Sequence, residues 1–136
     1  MPKTFYRVSI KALIIRAGKI LLAQEIDGRW ELPGGGLRAE ETIEQCLKRE
    51  LKEELGATVS KIGKQPLYLW NQEVEKKGKL INKLFIAYPV KIKPGKFKIS
   101  DEAIATVWFD KKGMSKINLH LNIRKFAKLF NPKDFK

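Results

Sequence analysis

Residues 33–57 read PGGGLRAEETIEQCLKRELKEELGA. Pro33 followed by Gly34, Gly35 and Gly36 makes a bend through which backbone amides and carbonyls approach a phosphate or a metal without side-chain obstruction. Thr42 with Gln45 three residues on has the form of a capping box, which starts a helix. Ile43, Leu47, Leu51 and Leu55 then recur at every fourth position, a stripe that must face a core. Gly56 stands where a left-handed residue ends such a helix. The stretch predicts a helix over about 42–55.

At about 100° per residue, Glu50, Glu53 and Glu54 fall on one arc flanking the leucine stripe. Carboxylates crowded on one flank repel each other. A solvated acidic face is the ordinary origin of such an arc, and the surrounding charge argues against it here. The chain of 136 residues carries 28 Lys and Arg against 15 Asp and Glu, a formal charge of +13. Residues 40–57 reverse that balance, with three bases against six acids. A hard divalent cation wants several carboxylate oxygens and bridges to phosphate, so it would relieve the repulsion.

The remaining composition sets bounds. One domain is expected over residues 1–136, with 43% hydrophobic residues to build a core. Cys46 is the only cysteine, which excludes an internal disulfide and a cysteine-based zinc cluster. No apolar run approaches the roughly eighteen residues of a membrane span, and the N-terminus lacks a secretory pattern, so a cytoplasmic protein is expected. The positive charge suits polyanions, but 22 of the basic residues are Lys and 6 are Arg, which fits a solvated surface better than a clamp.

Around the central stretch the pattern is mixed. Alternating apolar positions predict strands at 5–15, 20–24, 67–74, 80–92 and 106–109. Pro89 suggests an edge or bulge in the fourth of these, and residues 111–115 read as a polar connection. Leu119, Ile123, Phe126, Ala127 and Phe130 predict a C-terminal helix over about 119–130.

Gly35, Glu41 six residues on, and Arg49-Glu50-Leu51-Lys52-Glu53-Glu54-Leu55-Gly56-Ala57 resemble the Nudix box at all its fixed positions. Trp30-Glu31-Leu32-Pro33-Gly34 ahead of it and the strand order extend the likeness to Nudix (MutT-type) hydrolases over most of the chain. The resemblance implies an α/β/α sandwich on a mixed β-sheet. It implies Mg²⁺-dependent hydrolysis, with Mn²⁺ as a substitute, of a nucleoside diphosphate linked to another moiety. Glu50, Glu53 and Glu54 would bind the metal, joined in MutT-like members by the Gly34 carbonyl. Arg49 and Glu41 would form an ion pair holding the ligands in place. Glu102 stands where similar proteins place a further acidic ligand or base, with Asp101 its neighbour and rival. Glu53, Glu50 and Glu102 are the candidate catalytic groups, and which of them is the base varies in the family.

Gly35 and Gly36 would sit against the substrate, and Trp30, Tyr68, Trp70 and Phe85 are candidates to stack on a base, weighed against a place in the core. Asn118 and Asn122 are candidates to read a base edge, whereas His120 fits a capping or surface role and Cys46 a packing role. Short length and a MutT-like layout favour a nucleoside triphosphate, cleaved to the monophosphate and pyrophosphate. The rival readings are an RNA 5′-end pyrophosphohydrolase, with nucleic acid as partner, and a non-catalytic nucleotide sensor; a monomer or homodimer is expected in each case.

Overall fold

The computed structural model describes residues 3–98, 100 and 102–135. Asp101 lies outside them. The strands are β1 (Thr4–Leu13), β2 (Ile15–Arg16), β3 (Lys19–Gln24), β4 (Trp30–Glu31), β5 (Gly34–Gly36), β6 (Val59–Ile62), β7 (Tyr68–Lys76), β8 (Lys79–Ile92) and β9 (Ala105–Phe109). The helices are α1 (Ile43–Leu55), α2 (Lys111–Met114) and α3 (Arg124–Leu129). Among the described residues no helix is long and apolar enough to cross a membrane.

Alternation along β1 makes it the spine. Ile10, Ala12 and, just past its end, Ile14 are buried on the side covered by α1. Leu13 packs into a second core on the opposite side, with Phe126 of α3. β1 runs parallel to β8 and antiparallel to β5; β7 and β6 pair in turn along the far side of β8. β2, β3, β4 and β9 form a second, antiparallel sheet. The result is a mixed α/β fold with curled sheets between helices, and it agrees with the sandwich expected from the sequence.

α1 follows its sequence signals. Thr42 accepts from the Gln45 N–H, Gln45 returns the bond, and Gly56 closes the helix at φ 64°. Leu47, Leu51 and Leu55 are wholly buried, and so is Cys46, whose thiol burial pushes up to about 11. Fully burying a leucine contributes on the order of 1.5–3 kcal/mol, so this stripe anchors the helix.

Four expectations are corrected. The C-terminal helix does not begin at 119: Leu119 bridges to Trp30, a 3-10 turn spans Leu121–Ile123, and α3 covers only Arg124–Leu129. The cause is backbone pairing, since Trp30 donates to the Asn118 carbonyl at 2.9 Å and accepts from the His120 N–H at 2.8 Å. The triple glycine is not a bend but strand β5, in register with Ser9–Lys11. Residues 111–114 form a short helix capped by Asp110. Pro89 lies in a strand paired on both sides, at the changeover where β7 ends and β6 begins, so its missing N–H falls in a gap of the ladder.

Candidate active site

Two glycines position the carboxylates. At Gly34 φ is 126°, and a Cβ there would run into the Ile10 carbonyl oxygen; only glycine lets β5 lie so close to β1. At Gly35 a Cβ would come within 2.5 Å of Glu50 Oε1, so the missing side chain is the space Glu50 fills. The Gly34 N–H donates to Glu54 Oε1 at 3.3 Å. From the opposite side, Ser100 donates its hydroxyl to the Glu54 carbonyl at 2.9 Å and accepts from the Glu102 N–H at 3.2 Å. This hydroxyl ties the loop to the end of α1. Carboxylate oxygens of Glu50, Glu54 and Glu102 thereby lie within 4.8 Å of one another.

Burial pushes the Glu54 carboxyl up to about 9, against the pull of nearby Lys11 and with the Glu50 carboxylate adding to the rise. Three oxygen-donor groups held this close, one of them largely out of water, could hold a divalent metal ion. Glu53 lies one step outside, with its side chain 44% exposed and Oε2 3.4 Å from Arg49 Nη1.

Arg49 organises this rim. Its Nε and Nη2 donate to the two oxygens of Glu41 at 2.6 and 2.9 Å, a bidentate fork. Nη1 donates to Glu50 Oε1 at 2.8 Å and Nη2 to the Gly36 carbonyl at 3.1 Å. The Arg49 hydrogen bonds hold the Glu41 carboxyl down to about 2.

The carboxylates open into a cleft of about 400 Å³, lined by Gly34, Gly35, Glu54, Glu102, Lys11 and Asn122 among others. Lys11 is 5% exposed, although a lysine on an alternating strand reads as solvent-facing in the sequence. Its Nζ lies 3.5 Å from Glu31 Oε1, 3.3 Å from the Leu32 carbonyl and 3.5 Å from the Gly34 carbonyl. The Gly34 carbonyl therefore faces the Lys11 ammonium, which is itself one of the residues lining the cleft. Glu31 in turn accepts from the Leu32 N–H at 3.0 Å and from Asn122 Nδ2 at 3.1 Å. Glu25, Glu31 and His120 also gather within 4.8 Å. Of these, His120 Nδ1 accepts from the Asn122 N–H at 3.0 Å, and Glu31 is taken up by Lys11, the Leu32 N–H and Asn122.

Of the aromatic candidates, Phe85 is 1% exposed beneath Trp70, ring centroids 5.3 Å apart. Tyr68 packs on Phe126 and donates to Asp134 at 2.7 Å, and Trp30 makes an edge contact with Phe109. Tyr68 and Phe85 thus sit in the core and offer no face to a ligand. Asn118 lines a different depression, beside Lys111 and Arg124, and Asn122 is the asparagine that reaches the cleft.

Residues 5–130 match the NUDIX domain. The chain belongs to the NUDIX family. It is similar to the CTP pyrophosphohydrolase of Escherichia coli K12, 40% identical over 80 residues that cover 54% of this chain and 55% of that one. It is also similar to the 8-oxo-dGTP diphosphatase of Haemophilus influenzae, 46% identical over 61 residues that cover 41% and 45%. The matched stretches span about half the length of these relatives. Among solved structures, the MutT protein of Methanosarcina mazei Go1 superposes with a TM-score of 0.79 at 25% identity, over 100% of both chains.

Proposed function

We propose that this protein hydrolyses a diphosphate linkage in a nucleoside diphosphate joined to another moiety, and that its substrate is a nucleoside triphosphate cleaved to monophosphate and pyrophosphate. The observation that carries the reading is the convergence of Glu50, Glu54 and Glu102 beside a strand of glycines. The printed names of the relatives support the nucleotide substrate.

In this reading Glu50 and Glu54, with the Gly34 carbonyl, hold Mg²⁺ (Mn²⁺ as substitute), and Glu53 joins from the open side. The cation, when bound, neutralises phosphate charge and acidifies water. Glu102 and Glu53, the two exposed carboxylates of the site, are the groups placed to take the proton of the attacking water. Water oxygen bonds to phosphorus, the bridging P–O bond breaks, and pyrophosphate leaves with the electron pair. Arg49 and Glu41 hold the ligands in register, Gly35 leaves the space that the Glu50 carboxylate fills beside the phosphates, and Asn122 faces the nucleoside. A panel of nucleoside triphosphates, dinucleotides and nucleotide sugars with Mg²⁺, assayed separately for pyrophosphate and orthophosphate, tests this. Pyrophosphate from a triphosphate supports it; orthophosphate alone, or no turnover, sinks it.

A further inference from the structure

β1 runs on past its partner β5, which pairs only with Ser9, Ile10 and Lys11. On that side the Leu37 N–H donates to the Val8 carbonyl, and the Ala12 N–H donates to the Pro33 carbonyl. Along a strand the backbone groups turn alternately to either side, so the even residues of β1 present theirs to this edge. Past Val8 no strand meets them. The N–H and C=O of Tyr6 and Thr4 face instead a hollow of about 550 Å³ along β1. β7, which pairs only with β8, has a blunted edge: Lys125 Nζ donates to the Asn71 carbonyl at 2.7 Å, and Glu73, Glu75 and Lys76 charge the strand. On β1, Thr4, Phe5, Tyr6 and Val8 are strand-forming residues without charge, and Tyr6 is 75% exposed.

The two faces beside this edge differ in chemistry, because successive side chains of β1 point to opposite sides of the sheet. Arg7 shares one face with Lys83, its register partner on β8. Tyr6 and Val8 share the other, which carries Ile10 under α1, and Leu37 lies beside Val8. No carboxylate lines the hollow, and among the described residues none lies within 4.0 Å of the Arg7 or Lys83 cation. A second copy of this chain would bring the same cations to the same edge and be repelled. A polyphosphate would satisfy the cations and leave the edge backbone unpaired. We infer that the edge takes up an extended segment of a partner protein as an added strand, and that this segment alternates acidic and apolar residues. Its acidic side chains lie along Arg7 and Lys83, its apolar ones along Tyr6 and Val8, and the Tyr6 N–H and C=O carry backbone hydrogen bonds.

The probe is a short fluorescent peptide alternating glutamate and valine, read by anisotropy. Its controls are the same residues arranged in two blocks, the lysine–valine counterpart, and a single-stranded oligonucleotide of equal charge. The alternating acidic peptide should bind at least about tenfold tighter than each control, and more weakly as salt rises. Arg7→Glu should weaken it on the order of tenfold. Tyr6→Pro removes an edge N–H that the β1–β8 ladder does not use, and should abolish binding; Tyr6→Ala keeps that N–H and should retain most of it. Equal binding of the block peptide would reduce the contact to charge attraction and overturn the inference. Tighter binding of the oligonucleotide, lost in Arg7→Glu, overturns it in favour of nucleic acid, and so does no binding of the alternating peptide. Where Tyr6→Pro does not fold, hydrogen exchange of the Tyr6 amide in wild type decides: slowing by the peptide supports the added strand, and an unchanged rate overturns it.

Discussion

Arg49 holds Glu41 in a two-pronged ion pair while its third nitrogen donates to Glu50, so one guanidinium joins the loop before α1 to a carboxylate of the candidate metal site. Arg49→Lys keeps the charge and loses the fork. Turnover should fall by about 10–100-fold, the usual cost of disturbing a group behind a metal ligand. Steady-state kinetics at several Mg²⁺ concentrations check this.

The same pair makes a pH prediction. Glu41 is held down to about 2 from an ordinary 4.5, so folding favours its charged form. Its contribution is fully present above the unfolded value and is lost as pH falls through 4.5 toward 2. Glu41→Gln should flatten the acid limb of the stability curve in that window. An acid limb superimposable on wild type would show that the pair contributes nothing to folding.

Glu54 has the opposite sign. Pushed up to about 9, it favours the protonated form in the fold, so its ionisation costs stability as pH rises from 4.5 through 9. Without divalent metal, the Tm of wild type should decline across that window, and Glu54→Gln should remove the decline. Mg²⁺ should raise the wild-type Tm, most at high pH, and leave Glu54→Gln nearly unmoved. Thermal melts in chelator and in Mg²⁺ read both effects.

The two glycines should separate stability from activity. Gly34→Ala sets a side chain against the β1 backbone at positive φ, and should cost at least about 1–3 kcal/mol in urea unfolding. At Gly35→Ala the nearest atoms are those of the Glu50 carboxylate, the end of a side chain and not backbone. Its stability should stay near wild type while turnover drops, because Glu50 has moved.

Lys11 lies between Glu31 and the Gly34 carbonyl in a nearly closed setting. Removing one partner of a buried pair leaves the other unpaired, at about 3–5 kcal/mol. Lys11→Met should show that loss, and Glu31→Gln added to it should recover part. Chemical denaturation of the two variants decides.

What the sequence made legible was local. The cap at Thr42, the leucine stripe and the stop at Gly56 all act within α1, and the structure returns that helix with the boundaries read for it. What it concealed depends on partners far along the chain. Leu119 leaves the helical path because Trp30 pairs with its backbone, and Gly34–Gly36 are extended because β1 lies alongside. Lys11 reads as solvated on its strand, yet Glu31 and Asn122 close over that face. Tyr68 and Phe85 have the composition of a stacking platform, and the packing of α3 converts them to core. The position of Glu102 turns on one hydroxyl, Ser100, whose bond to α1 has no sequence periodicity to announce it.

In the proposed reaction, carboxylates of α1 hold a divalent metal that enables pyrophosphate release. Its most direct test is the rate of pyrophosphate formation from a nucleoside triphosphate, titrated with Mg²⁺, for wild type and Glu50→Gln. Expected are a saturable dependence on Mg²⁺, pyrophosphate equimolar with nucleoside monophosphate, and a loss of on the order of a hundredfold or more in Glu50→Gln. Hydrolysis that proceeds in chelator, or that Glu50→Gln leaves at the wild-type rate, would contradict it.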